Sequence, residues 1–496
     1  MVAAVTLSAI LQQRWEQTWL VGIGAERFWP QLRQFQAQLQ TQQPQSVVLA
    51  EPDPVRFLAA FLAACQQPCQ VWLANPHWGL EEWQQVVTQC HPDWVIGRVP
   101  PTVAARWRNR PVETPARAGY VGSLPSPPTG NSRSSAPPSE PSILIPTGGS
   151  SGALRFAAHT WTTLTASVQG FQQHFHCPTV NAYCVLPLFH VSGLMQALRC
   201  LLSGGVLICQ PFQALLQEGM IAPVPDPAFL SLVPTQLQRL LKCDRDFTPW
   251  LQSFTAILLG GAPPWPSLLH TARQLLLPLA PTYGMTETAS QVATLHPHEF
   301  LVGNRSSGRT LPHASITIRD TAGQPLPPGQ TGLIAIEAAS LAQAYSQTPV
   351  SVPLQTGDLG YLDAAGYLYV LGRQTTLILT GGEKVLPEEV EAAILATGMV
   401  QDAAVVGIPD DDWGETVVAV VVSEAPVEGG DRLRQTLKPR LSPYKIPKRW
   451  LQRPSLPRNA QGKLNRADLR QWVIQQLQCP PVTTGSALTS GDSAAE

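Results

Sequence analysis

The stretch SILIPTGGSSG, residues 142–152, runs from a strand straight into a loop of small residues. Ser142 to Pro146 is short, apolar and β-prone, and Thr147, Gly148, Gly149, Ser150, Ser151 and Gly152 follow at once. Backbone N–H groups and hydroxyls in such a loop can surround a chain of phosphates. A Walker A loop would carry Lys-Ser or Lys-Thr after its last glycine, whereas Ala153, Leu154 and Arg155 stand here. The spacing is not G-x-G-x-x-G either, and taken alone the segment also reads as an ordinary strand-end turn.

Upstream of it, Pro, Ser, Gly and Asn dominate residues 111–141, which read as a long mobile surface loop inserted within a domain. Before that, Arg56 to Cys65 reads as a helix, Gln70 to Ala74 as a buried strand and Leu80 to Gln89 as a second helix. Alternation continues downstream. Strands are expected at 182–187, 206–209 and 256–259, and helices at 160–175 and 234–241. This is an α/β pattern. Residues 301–373 turn β-rich, with strands at 315–319 and 332–337 and a hairpin over 360–372 around the Asp363 to Gly366 turn. A second unit follows Arg373: strand 377–379, a Gly pair, helix 388–397, strands 403–407 and 416–422, and helix 431–440. Residues 480–496 have the composition of a disordered tail, and no internal repeat is found.

At about 100–200 residues per domain, the chain length of 496 suggests two to four domains or subdomains. Hydrophobic residues at 44% and charged residues at 14% describe globular material. Lys and Arg total 33 against 34 Asp and Glu, a formal charge of −1, so nucleic acid is not the expected partner. No apolar run approaches the ~20 residues that span a bilayer. Met1 to Leu11 has no Lys or Arg before its apolar residues and no cleavage pattern after them, so a mature cytoplasmic N-terminus is expected. The nine cysteines include no C-x-x-C. Cys65 and Cys69 fit one helix face, and the set reads as buried thiols in a reducing compartment. Only six lysines occur, and five of them, Lys384, Lys438, Lys445, Lys448 and Lys463, lie beyond residue 380.

Five further short motifs could carry chemistry. LLGGAP (258–263) puts Gly260, Gly261 and Ala262 at a strand end, where a flat ring could approach backbone or a tight turn could simply form. YGMTET (283–288) offers a ring, hydroxyls and Glu287; a lone Glu there is a helix cap or solvated residue, unless phosphates are near and a divalent cation lies between. Asp358 in TGD (356–358) could accept both hydroxyls of a ribose or cap an Asx turn. GGEK (381–384) and PRNAQGK (457–463) each place a lysine beside glycine, either a swinging point charge for a phosphate or a solvated surface charge.

Together and in this order, TGGSSG, PLFH (187–190), GGAP, YGMTET, TGD, GR (372–373), GGEKV (381–385) and NAQGK (459–463) resemble the adenylate-forming superfamily of acyl-CoA synthetases, nonribosomal-peptide adenylation domains and luciferases. The resemblance covers about residues 140 to 470. It implies a large N-terminal domain of stacked α/β sheets with a β-rich subdomain (1–373), a hinge at 374–376, and a small mobile α+β lid (377–479). The short length, PLFHVSGL (187–194) and LPRNAQGKLNR (456–466) look most like the branch acting on 2-succinylbenzoate in menaquinone or phylloquinone synthesis, although other short aryl- and acyl-CoA ligases share much of this pattern. The implied co-substrates are ATP and coenzyme A, with Mg²⁺. An enzyme that loads a carrier protein is the alternative within the superfamily, and a non-catalytic nucleotide-binding protein the alternative outside it. A homo-oligomer is compatible with the sequence.

By the same resemblance, Thr147 to Gly152 would hold the β- and γ-phosphates with Arg155 assisting. Gly260, Gly261 and Ala262 would flank the adenine beside Tyr283, Gly284 and Met285. Thr286 would touch the α-phosphate and Glu287 the metal, while Asp358 would take the ribose with Arg373 nearby. Lys463 would bridge the substrate carboxylate and α-phosphate, and Gly382 and Lys384 would take its place beside a coenzyme A tunnel. His190 would line the acyl pocket or be satisfied by backbone, with Ser192 and Arg309 as contacts for the acid's second carboxylate. Two departures stand out: Arg155 replaces the family's lysine, and Thr376 stands where the hinge often has Asp.

Overall fold

The computed structural model describes residues 6–15, 17–107, 121–123, 140–148, 154–345, 348–427, 430–458 and 464–478. Gly149 to Gly152, Lys463, the tail and most of 111–141 lie outside the described residues.

Two eight-stranded sheets form the bulk of the molecule. One is ordered 348–349, 344–345, 154–160, 142–148, 70–73, 46–50, 94–97 and 121–123, with a parallel centre and antiparallel edges. The other is ordered 20–21, 207–209, 181–184, 228–232, 256–259, 279–285, 290–294 and 309–310; all but its last two strands run parallel. Side chains of both sheets share one core with helices Phe28–Gln42, Pro54–Ala64 and Val191–Ser203. Pro54–Ala64 is buried from Phe57 through Ala64, and Val191–Ser203 from Gly193 through Leu201. A helix covered on every side must be apolar all round. That is why Pro54–Ala64 reads as a run of Leu, Ala and Phe rather than as an amphipathic stripe, whereas Val191–Ser203 also buries Gln196 and Arg199.

An antiparallel four-stranded sheet follows, ordered Ala314–Arg319, Gly332–Ala338, Leu354–Leu362 and Leu368–Arg373. A single turn of 3₁₀ helix, Gln374–Thr376, leads from it to a five-stranded sheet built on the long pair Asp402–Asp410 and Gly414–Val422. Both of those strands are buried on alternate faces by separate clusters, one with helix Pro387–Leu395 and one with helix Arg466–Gln478. Arg466 ties the two helices together, donating to Glu391 at 2.7 Å and Glu388 at 3.1 Å.

Two expectations need correction. Cys65 and Cys69 do not share a helix face. The helix ends at Ala64, ahead of Pro68, and Cys69 lies just before strand Gln70–Leu73. Both thiols are buried, and burial pushes Cys69 up to about 12. The 111–141 segment is also not wholly loop, because Val121–Ser123 pairs antiparallel with Trp94–Gly97 as an edge strand. Among the described residues, no helix is long and apolar enough to cross a membrane.

Candidate nucleotide and acyl site

Strand β1 (Ser142–Gly148) and strand β2 (Leu154–Thr160) are antiparallel neighbours, Thr147 pairing with Arg155 and Gly148 with Leu154. The small-residue segment therefore connects the two arms of a hairpin, and does not open a helix as a Walker A loop would. Helix α1 (Trp161–Phe175) follows directly, its capping box formed by Thr160 and Thr163.

Helix α2 (Val191–Ser203) starts at His190, which is its N-cap residue; the His190 ring is buried 4.6 Å from that of Phe189. Ser192 is half-buried in the first turn, and its carbonyl accepts from Gln196 Nε2 at 2.8 Å. Strands β3 (Ala256–Leu259) and β4 (Leu279–Met285) are parallel, so Gly260, Gly261 and Ala262 emerge beside the segment holding Tyr283. Open α/β sheets bind ligands at these carboxyl ends. Gly261 has φ +80°, a conformation that favours glycine. Gly284 is forced by crowding: a Cβ there would lie 2.1 Å from the Ser290 carbonyl oxygen of the next strand, β5 (Ser290–Thr294).

Thr286 and Glu287 occupy a 3₁₀ turn between β4 and β5. The turn is pinned from below. His159 Nε2 donates to the Thr286 carbonyl at 2.8 Å, and Ser167 Oγ donates to the Ala289 carbonyl at 2.7 Å. Burial pulls His159 down to about 4, so at neutral pH it is an uncharged strut. The Glu287 side chain is buried, and its Oε1 accepts from Thr147 Oγ1 at 3.3 Å and from the Tyr345 hydroxyl at 3.1 Å. Tyr345 belongs to the two-residue strand β6 (Ala344–Tyr345), which pairs with β2.

Strands β7 (Leu354–Leu362) and β8 (Leu368–Arg373) put Asp358 opposite Arg373. Arg373 Nε donates to Asp358 Oδ1 at 2.8 Å, and the Tyr283 hydroxyl donates to Oδ2 at 2.7 Å. Asp358 is thus no turn cap. It links the two sheets through a phenol that burial and the neighbouring Asp358 charge keep protonated.

Other expected residues fall elsewhere. Gly382, with φ +82°, forms the turn of a hairpin between Ile378–Thr380 and strand β9 (Glu383–Val385). Lys384 stands exposed on it, without a hydrogen bond to the Tyr283–Asp358–Arg373 group. Arg309 is not beside α2: it pairs with Thr294, at the end of β5 away from Ser290, and lies over the Tyr367 ring at 4.5 Å.

A cation that sequence reasoning passed over is Arg199, one face along α2 from Ser192 and Gln196. Its Nη2 donates to Ser290 Oγ at 3.0 Å and to Gln291 Oε1 at 2.8 Å, and its guanidinium lies 4.2 Å from the Phe171 ring centroid. Its Nε makes no hydrogen bond among the described residues. Burial lowers it to about 9, still cationic at neutral pH. The chain reaches it through two consecutive non-glycine residues at positive φ, Ala289 at 50° and Ser290 at 99°, a local strain that turns β5 toward α2.

Among the described residues, no group of three or more His, Cys, Asp and Glu could hold a metal ion. Glu287 is a lone carboxylate whose hydrogen bonds from Thr147 and Tyr345 both fall on one oxygen. That donor set suits Mg²⁺, which binds through one or two carboxylates and takes its other ligands from phosphates and water.

Residues 31–346 match the AMP-binding enzyme family, and residues 389–463 match the AMP-binding enzyme C-terminal domain. The chain belongs to the AMP-binding enzyme family. Among its relatives, the 2-succinylbenzoate–CoA ligase of Bacillus licheniformis is 36% identical over 326 residues, 63% of this chain and 65% of that protein. The ligase of the same name from Geobacillus kaustophilus is 34% identical over 342 residues, 67% of this chain and 68% of its own. The first alignment thus spans just under two thirds of its relative. Among solved structures, o-succinylbenzoate CoA synthetase from Bacillus subtilis in complex with the acyl-adenylate intermediate OSB-AMP has a TM-score of 0.76 at 25% identity, covering 94% of this chain and 97% of that one. Its complex with ATP and magnesium ion gives 0.75 at 25% identity, covering 93% and 98%.

Proposed function

We propose that this protein ligates 2-succinylbenzoate to coenzyme A through an acyl-adenylate, releasing pyrophosphate and then AMP. The observation that carries the reading is the meeting of Tyr283, Asp358 and Arg373 at the carboxyl end of a parallel sheet, with Glu287 in the turn just after Tyr283. In sequence these residues span positions 283 to 373, and a shared ligand gives them a reason to converge.

A carboxylate oxygen is a poor leaving group, so the acid must be activated before a thiol can take it. The protein's share of this work is alignment and stabilisation of developing charge. Asp358 presents carboxylate oxygens to the ribose diol, fixed in place by Tyr283 and Arg373. Gly260, Gly261 and Ala262 supply a floor with no side chain larger than a methyl for the adenine, with Tyr283, Gly284 and Met285 at its edge. Thr147 to Gly152 and Arg155 enclose the terminal phosphates, and Thr286 faces the α-phosphate. Glu287 would hold Mg²⁺, which when bound offsets phosphate charge. Lys463 bridges the acid and the α-phosphate in the first step. A lid of residues 377–479 then turns on the 374–376 segment from the 1–373 body and brings Gly382 and Lys384 to the site for thiol attack.

The acid lies along the α2 face that carries His190, Ser192 and Arg199. Arg199, buried and with an unpartnered Nε–H, is suited to the acid's second carboxylate. Arg199→Met should raise KM for 2-succinylbenzoate at least ~10-fold relative to a monocarboxylic aryl acid of similar size. The ratio between two acids on one preparation is insensitive to the folded fraction, and an unchanged ratio would exclude the role. ATP–pyrophosphate exchange against a panel of carboxylic acids, with product analysis after adding coenzyme A, tests the whole reading. A strong response to 2-succinylbenzoate alone supports it, whereas exchange driven by benzoate-like or fatty acids in its place overturns the substrate assignment.

A further inference from the structure

We propose that Tyr345 is a positioning residue with two duties: its hydroxyl orients Glu287 and its ring seats Arg155. This rests on the reading that Glu287 and Arg155 serve the phosphates and their metal ion.

The geometry starts from strand pairing. Tyr345 of β6 lies opposite Ala157 of β2, and Arg155 is two residues along β2 on the same face. The diagonal neighbour across a sheet is within reach of a long side chain, and the Arg155 guanidinium carbon lies 5.7 Å from the Tyr345 ring centroid. From the other end of the ring, the hydroxyl donates to Glu287 Oε1 at 3.1 Å. Thr147 Oγ1 donates to the same oxygen at 3.3 Å. Two donors converging on Oε1 fix the carboxylate rotamer and leave Oε2, which makes no hydrogen bond among the described residues, as the oxygen to face a cation.

The two donors are not equivalent. Thr147 belongs to the strand entering the small-residue segment, so its hydroxyl has a competing partner once phosphates arrive. Tyr345 comes from a different strand, and its hydroxyl has no partner other than Glu287 among the described residues. The ring accounts for Arg155 as well. A planar guanidinium lies against an aromatic face better than an ammonium does, which makes arginine workable at a position where the family usually has lysine.

Calorimetric titration of the full chain with ATP, at a series of Mg²⁺ concentrations and with none, separates the duties. Tyr345→Phe keeps the ring and removes the donor. It should raise the Mg²⁺ concentration for half-maximal ATP binding about 5-fold, as loss of one hydrogen bond to a carboxylate does, with Mg²⁺-free ATP affinity unchanged. Tyr345→Leu removes both and should also weaken Mg²⁺-free binding about 3-fold, through loss of the Arg155 seat. A Mg²⁺ requirement for Tyr345→Phe within about 2-fold of the parent overturns the orienting role. Equal Mg²⁺-free affinity in the Phe and Leu variants overturns the seating role. If the parent itself binds ATP without any Mg²⁺ dependence, the assignment of Glu287 falls, and this inference with it.

Discussion

Replacing Lys463 by alanine should slow acyl-adenylate formation by about 100-fold or more, the scale seen when one preorganised charge partner of a transition state is removed. Thioester formation from supplied acyl-adenylate and coenzyme A should proceed near the parent rate. The asymmetry follows from the two-step scheme. A cation that bridges the attacking carboxylate and the α-phosphate helps only while charge builds on phosphorus, so its loss lowers rate more than binding. Measuring the two half-reactions separately, by pyrophosphate release and by AMP release from pre-made adenylate, gives the answer. Parallel losses in both would show that Lys463 serves something common to both steps, and the proposed exchange with Lys384 would have no basis.

The second large effect is expected at Asp358. Asp358→Ala removes the acceptor for the ribose and also leaves the buried Tyr283 hydroxyl and the Arg373 guanidinium without their bonds. Breaking a buried pair from one side costs about 3–5 kcal/mol, although Arg373 is 41% exposed in its side chain and water recovers part of that. A fall in kcat/KM for ATP of about 100-fold is expected, as loss of charged hydrogen bonds worth about 3 kcal/mol implies. Asp358→Asn keeps one acceptor oxygen and should fall between parent and alanine. An alanine variant with parent-like ATP kinetics would move the ribose away from β7.

Much of this arrangement could be read from the residues. Most expected strands and helices form within a few residues of their sequence bounds, because strand–helix alternation with apolar strands is a strong signal. The 360–372 hairpin forms around its Asp363 to Gly366 turn, although its first strand starts earlier, at Leu354. What spacing alone conceals is side-chain company. Asp358 reads in sequence as a ribose acceptor or a turn cap, and only the β7–β8 register and the arrival of Tyr283 from another sheet decide against the cap. The interval from Cys65 to Cys69 matches a helical turn, but Pro68 interrupts it. Arg199 had a signal that was passed over: a single cation within VSGLMQALRCLLS (191–203), a segment that is mostly apolar. Tyr345 had none, since a two-residue strand leaves no periodicity to detect.

The placement of α2 bears on how this protein could diverge. The helix that carries His190, Ser192 and Arg199 is also a central beam between the two large sheets, buried from Gly193 through Leu201. Deep changes in acid preference at Arg199 therefore disturb the same packing that keeps the molecule folded. Ser192, in the half-exposed first turn, can vary at little cost to that packing. New substrates are more readily acquired at the rim of the helix than along its length, and laboratory evolution toward other acids should accumulate its first tolerated changes there.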